Sequence, residues 1–144
     1  MDHLTPAGRS RVMSRIPSLN TRPELVVRKY LHSLGYRFRL HRKDLPGRPD
    51  IVLPRHKVAI WIHGCFWHSH HCQAGKLPQT NIDYWHPKLA RNVSRDMSNR
   101  RKLARMGWMN FVFWECQISC SHKFSRRVEL LKRRILGRKI EAAC

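Results

Sequence analysis

Ten consecutive residues, His63-Gly64-Cys65-Phe66-Trp67-His68-Ser69-His70-His71-Cys72, hold four histidines and two cysteines. A packed apolar core has little use for so many imidazoles and thiols side by side, whereas holding a transition metal requires them together. A closed structural zinc site takes four ligands, so Cys65 and Cys72 need partners from elsewhere in the chain. Cys116 follows the apolar run 108–114 much as Cys65 follows the run 58–62, so if those runs are neighbouring strands the two thiols converge. Cys120 competes with Cys116 for that place, and His70 or His71 completes a Cys3His set. The plainer alternative is a histidine-rich surface loop with adventitious metal affinity. Cys144 reads as a free thiol, and five cysteines, which cannot all pair, fit thiols or ligands better than a disulfide framework.

Charge is the second constraint. Of the 144 residues, 29 are Lys or Arg against 9 Asp or Glu, a formal net charge of +20. Such a balance favours a polyanion, because neutralising phosphates releases counterions and supplies affinity independent of sequence. A membrane face fits less well, since the basic residues run from Arg9 to Lys139 and do not gather opposite one apolar face. No stretch approaches the roughly 20 apolar residues of a membrane span, and the start lacks the apolar region of a signal peptide. The expectation is a soluble, cytoplasmic protein, associated with the nucleoid when on DNA.

The expected order of elements is α, β, β, β, α, β, α, forming one domain over 1–144. Residues 1–20 form a basic segment expected to contact DNA, with Met13 and Arg15 among the contacting residues, and 138–144 form a frayed tail. Thr21-Arg22-Pro23-Glu24 has the pattern of a capping box, and Val27, Leu31 and Leu34 make the buried face of the helix that follows. Alternation over 36–40 predicts a strand. Strands are also expected over 50–53, 58–62 and 108–114, the last so apolar that a central position is expected. Leu89, Val93 and Met97 predict a helix over 87–106, and Phe124, Val128, Leu131 and Ile135 a final one. The fold class is α/β, a mixed central sheet flanked by helices and carrying a structural zinc site.

With so few acids in the chain, Asp50 stands out, opening a strand after Gly47-Arg48-Pro49. Metal-dependent phosphodiester cleavage needs a hard oxygen ligand for Mg²⁺ and a group that takes or gives a proton. Asp50 can be the ligand, His63 or His68 the base or acid, and Asp96 the group that orients a histidine. The competing reading is ordinary surface salt bridges. Phe66, Trp67 and Trp85 are either core packing or rings that wedge into and stack on bases.

Leu45-Pro46-Gly47-Arg48-Pro49-Asp50, His63-Gly64-Cys65-Phe66-Trp67-His68, Arg91-Asn92 through Arg95-Asp96, Gly107-Trp108 and Trp114-Glu115-Cys116 together resemble the very-short-patch mismatch endonucleases, often called Vsr. The resemblance runs in unbroken order from about Arg9 to Cys116. It implies a fold like the type II restriction endonucleases and a Mg²⁺-dependent nick of one strand 5′ to the thymine of a T:G mismatch, the lesion left by deamination of 5-methylcytosine. By the resemblance, Asp50 is the Mg²⁺ ligand, His68 the catalytic histidine and Asp96 its acid partner. Cys65, His70, Cys72 and Cys116 would hold zinc, Phe66, Trp67 and Trp85 would enter the base stack, and Glu24 and His63 would be accessory active-site residues. The implied partners are double-stranded DNA bearing T:G and other mismatch-repair proteins, with the enzyme a monomer and no membrane involved.

Two departures stand out. The second acid and lysine that restriction enzymes place after their aspartate are missing, since Ile60-Trp61-Ile62-His63 occupies that strand. Ile62 also stands where some members carry Thr, so any metal contact there would come from its backbone carbonyl. The alternatives are a zinc-stiffened, non-enzymatic nucleic-acid-binding module, such as a ribosomal or architectural protein, and a nuclease of broader specificity.

Overall fold

In the computed structural model, residues 20–143 are described, with side chains through 138. Met13 and Arg15 lie outside the described residues. The elements are α1 (Arg22–Ser33), β1 (Arg39–Leu40), β2 (Ile51–Leu53), β3 (Val58–His63), α2 (Ile82–Arg105), β4 (Met109–Trp114), the single turn α3 (Glu115–Ile118) and α4 (Ser121–Ala143). The strands form one mixed sheet in the order β1-β2-β3-β4, antiparallel except for the parallel pair β3 and β4.

The pleat of the sheet divides the interior into two layers. Ile51, Leu53, Val58, Ile60, Phe111 and Phe113 point to one face, where Val27 and Leu31 of α1 and Phe124, Val128, Leu131 and Ile135 of α4 cover them. Val52, Ala59, Trp61 and Val112 point to the other, against Leu103 of α2, Leu45 and Trp108. A strand enclosed on both faces reads as continuously apolar, and that explains β4, which ends the strand order and is not central. Helices cover its two faces while its outer edge stays outside the ladder, with the Arg127 guanidinium donating to the Val112 carbonyl.

Other differences from the sequence expectation have local causes. The first strand is only Arg39–Leu40. Leu34 is 39 % exposed because it is the C-cap of α1, past the last buried turn. At the N-terminus of α1 half of the capping box forms: the Thr21 N–H donates to Glu24 Oε2 at 3.2 Å, but the Thr21 hydroxyl makes no cap hydrogen bond. α2 begins at Ile82, with Pro87 inside it, because Trp85 and Leu89 bury the first turns; Met97 is 41 % exposed, and the burial shifts to Leu103. The helical backbone of α4 runs to Ala143, through the stretch read as a tail. Among the described residues no helix is long and apolar enough to cross a membrane.

Candidate active site

β2 runs antiparallel to β3, so the residue preceding β2 meets the end of β3. Asp50 therefore lies beside the last residues of β3, where the Ile62 N–H donates to Asp50 Oδ2 at 2.8 Å. Glu24, in the first turn of α1, and His41, in the loop after β1, complete a group whose ligand atoms all lie within 4.8 Å of one another. Glu24 is only 2 % exposed and is satisfied on several sides: His41 Nε2 lies 2.5 Å and Arg28 Nη2 3.0 Å from its Oε1. Burial pushes the Asp50 carboxyl up to about 6 against the opposing effect of the Ile62 N–H, and the nearby Glu24 charge adds to the rise. A carboxylate held in its charged form against such a shift is suited to a cation. Asp50, Glu24 and His41 supply two hard oxygens and an imidazole, a donor set that fits a divalent ion.

The second group lies at the end of β3. The His63 and His68 rings stack at 3.8 Å with 5° between their planes, and His68 Nδ1 hydrogen bonds to Asp96 of α2. The long helix thus brings an acid 28 residues distant onto the imidazole. Burial pushes Asp96 up, but the bond to His68 and the charges of His68 and Arg100 outweigh it and hold it below the usual carboxylate range. His63 is buried, and burial with the neighbouring His68 pushes it down to about 3, so it remains neutral at physiological pH. With Nδ1 committed to Asp96, His68 keeps Nε2 for proton transfer. A cleft of about 240 Å³ opens here, bordered by His63, His68, His71, Asp96, Arg100 and Trp114.

The third group joins the loop after β3 to the turn after β4. Cys65, His70, Cys72 and Cys116 bring their ligand atoms within 4.8 Å of one another; Cys116 Sγ lies 3.5 Å from His70 Nδ1. Because β3 and β4 are parallel neighbours with His63 opposite Trp114, Cys65 and Cys116 leave the sheet side by side. A tetrahedron with zinc-to-ligand distances of about 2.0–2.3 Å has edges of roughly 3.3–3.8 Å, a range that holds the Cys116–His70 spacing of 3.5 Å. Burial and the adjoining thiols push Cys65 up to about 12. Burial pushes Cys72 up as well, but hydrogen bonds from Cys65 and from the Gly75 and Ala74 N–H groups outweigh it and hold Cys72 below its ordinary value, so the group favours one thiolate and a cation would be needed to balance more. Cys120 and His71 are not in the group.

The aromatic residues form a cluster of their own. Phe66 lies 5.0 Å from Trp67 and 5.2 Å from Trp85, both edge to face, and Asn92 of α2 donates to the Trp67 carbonyl at 3.1 Å. Trp85 is buried, while Phe66 and Trp67 are half-buried, so Trp85 supports the other two from within.

Sequence reasoning missed three contributors. His41 enters through a backbone position with φ of 46°, and its N–H donates to the Asp50 carbonyl. Trp114 stacks on His70 at 4.1 Å and meets His63 edge-on at 5.1 Å, joining the thiol group to the histidine pair. Gly75 lies against His70, where an added Cβ would come within 1.9 Å of the His70 carbonyl oxygen. The absence of a side chain at Gly75 carried no distinctive sequence signal, and neither His41 nor Trp114 belonged to a recognisable ligand spacing.

The sequence model of the family described as DNA mismatch endonuclease Vsr matches residues 1–74. The chain is 52% identical over 118 residues to a type II nicking enzyme of Xanthomonas oryzae pv. oryzae, covering 82% of this chain and 87% of that protein. It is 40% identical over 135 residues to a type II nicking enzyme of Neisseria meningitidis, covering 91% and 96% of the two chains. It is 37% identical over 119 residues to the DNA mismatch endonuclease Vsr of Escherichia coli, covering 83% and 76%.

Proposed function

The chain belongs to the DNA mismatch endonuclease Vsr family, and from that premise we propose that it is a metal-dependent DNA endonuclease that nicks one strand 5′ to the thymine of a T:G mismatch, initiating very-short-patch repair. The observation that carries the chemistry is an oriented imidazole, His68 stacked on His63 and held by Asp96, near enough to the buried Asp50 carboxyl for its charge to oppose the rise in that group's pKa. A non-enzymatic binding module has no use for a buried carboxylate of raised pKa beside an oriented imidazole.

Asp50 would hold Mg²⁺, with Glu24 and His41 closing the site around it. The ion supplies Lewis acidity toward the phosphodiester and lowers the pKa of a bound water. His68 moves a proton at Nε2, and Asp96 fixes its orientation through Nδ1. Neutral His63 packs against the His68 ring and keeps it from swinging away. Cys65, His70, Cys72 and Cys116 would hold a structural zinc that stiffens the loop bearing Phe66 and Trp67. Those rings, backed by Trp85, enter the base stack beside the mismatch, where weakened stacking lowers the cost of opening the duplex.

In this reading the fold is of the restriction-endonuclease kind, with Glu24 of α1 and the histidines replacing the missing acid and lysine. The protein works as a monomer in the cytoplasm, on the nucleoid, beside other repair proteins, and the basic segment carrying Met13 and Arg15 also contacts DNA. Nicking of a matched panel of duplexes with T:G in different flanking sequences, against fully paired controls and with each strand labelled, tests the proposal. Cutting confined to the thymine strand of mismatched duplexes is expected. Equal cutting of paired DNA would favour a nuclease of broader specificity, and binding without Mg²⁺-dependent cutting would favour the binding module.

A further inference from the structure

The outer edge of β4 carries cations that the cleavage chemistry does not use. Arg127 donates to the Val112 carbonyl, and its guanidinium lies 4.3 Å from the centre of the buried Phe111 ring. The Arg134 guanidinium lies 5.4 Å from the same ring, and Arg138 donates to the Gly107 carbonyl at 2.9 Å. The three follow β4 backwards along α4, over about 16 Å of helix, a length close to five base-pair steps of duplex.

Surface cations of this kind are ordinarily either solvated or paired with acids. Arg127 meets neither condition. Among the described residues none of the three makes an ion pair; the acid nearest to Arg127 in sequence, Glu129, is taken by Lys132 at 3.2 Å. Arg127 is half-buried and its Nε–H has no acceptor. Burial lowers its pKa, and the adjacent Arg134 charge lowers it further. Two like charges sharing one ring without a counter-ion form an arrangement that an anion would relieve. The edge strand itself leads to Trp114, which packs against His70 and His63 at the candidate active site.

We propose that Arg127, Arg134 and Arg138 form a seat for the phosphate backbone of the DNA arm that flanks the cleavage site, extending the protein's footprint along the free edge of the sheet. The seat rests on the reading of the chain as a DNA-acting protein, but it concerns affinity and not cutting.

Arg134 is exposed and is the residue to change first. Anisotropy titration of Arg134→Gln with a T:G duplex should show affinity about three- to ten-fold weaker at low salt, and a plot of log K against log salt shallower by about 1. Nicking at saturating DNA should be unchanged, and the thermal midpoint unchanged or raised, since repulsion has been removed. Arg138→Gln should behave alike, and Lys132→Gln, whose cation is already paired, should match wild type. Duplexes shortened on one side of the mismatch should abolish the difference between Arg134→Gln and wild type for one arm only. Unchanged affinity and salt slope in both Arg134→Gln and Arg138→Gln would overturn the proposal. Saturable binding of inorganic phosphate with no dependence on arm length would overturn the assignment to DNA. If wild type fails to cut T:G while the Arg134 effect on binding persists, the nuclease reading falls and the seat stands.

Discussion

Replacing Asp50 by Asn should inactivate the protein and stabilise it at the same time. Burial raises the Asp50 carboxyl from its ordinary value of 3.8 to about 6, so in metal-free protein its charged form costs folding free energy. A shift of that size is at most about 3 kcal/mol. Because the folded pKa is the higher one, the folded state binds the extra proton; the cost is complete above about pH 6 and disappears as pH falls toward the unfolded value. Asn carries no charge, and its side-chain oxygen can still accept the Ile62 N–H. Urea unfolding in Mg²⁺-free buffer should therefore find Asp50→Asn more stable than wild type by up to about 3 kcal/mol at pH 8, and by about 1 kcal/mol at pH 4.5. Adding Mg²⁺ should narrow the difference at pH 8 by stabilising wild type alone. A variant less stable than wild type at pH 8, or an advantage that does not shrink at low pH, would refute the reasoning.

Protein purified without added metal should carry about one equivalent of zinc, and Cys116→Ser should lose the metal along with several kcal/mol of stability; metal analysis with thermal unfolding checks both. Trp67→Ala should retain fold and zinc but lower nicking at T:G and narrow the preference over paired DNA, with weaker effects from Phe66→Ala and Trp85→Ala, as competition nicking assays would read. An unfolded Trp67→Ala protein would return that ring to the core. Gly75→Ala should cost about 1–3 kcal/mol and loosen zinc retention, because a Cβ within 1.9 Å of the His70 carbonyl forces that backbone to move; chelator-challenge kinetics would measure it.

Chemistry that depends on local spacing was legible in the sequence. The segment from His63 to Cys72 supplied three of the four residues of a Cys/His group that could hold a metal, and the expectation that Cys65 and Cys116 leave adjacent strands holds because β3 and β4 pair in parallel. Helix periodicity found the buried faces of α1 and α4, since Val27, Leu31, Phe124, Val128, Leu131 and Ile135 each meet the sheet. What depends on partners distant in sequence was not legible. Apolar residues through β4 report enclosure on two faces and say nothing about neighbours in the ladder, so an edge strand read as a central one. His41 reaches Glu24 only through a left-handed backbone position. Trp114 looked like part of an apolar strand, and only the end of the β3–β4 ladder places its ring between two groups of histidines.

The central claim is that one constellation, Asp50 with His63, His68 and Asp96, cuts DNA at a mismatch. Single-turnover nicking of a T:G duplex with saturating protein measures this directly, comparing wild type with His68→Ala in the presence and absence of Mg²⁺. The expected result is cutting by wild type only with Mg²⁺, and a rate at least 10²-fold lower for His68→Ala at nearly unchanged DNA affinity. A His68→Ala protein that nicks at the wild-type rate, or wild-type nicking that persists without any divalent ion, would contradict the account.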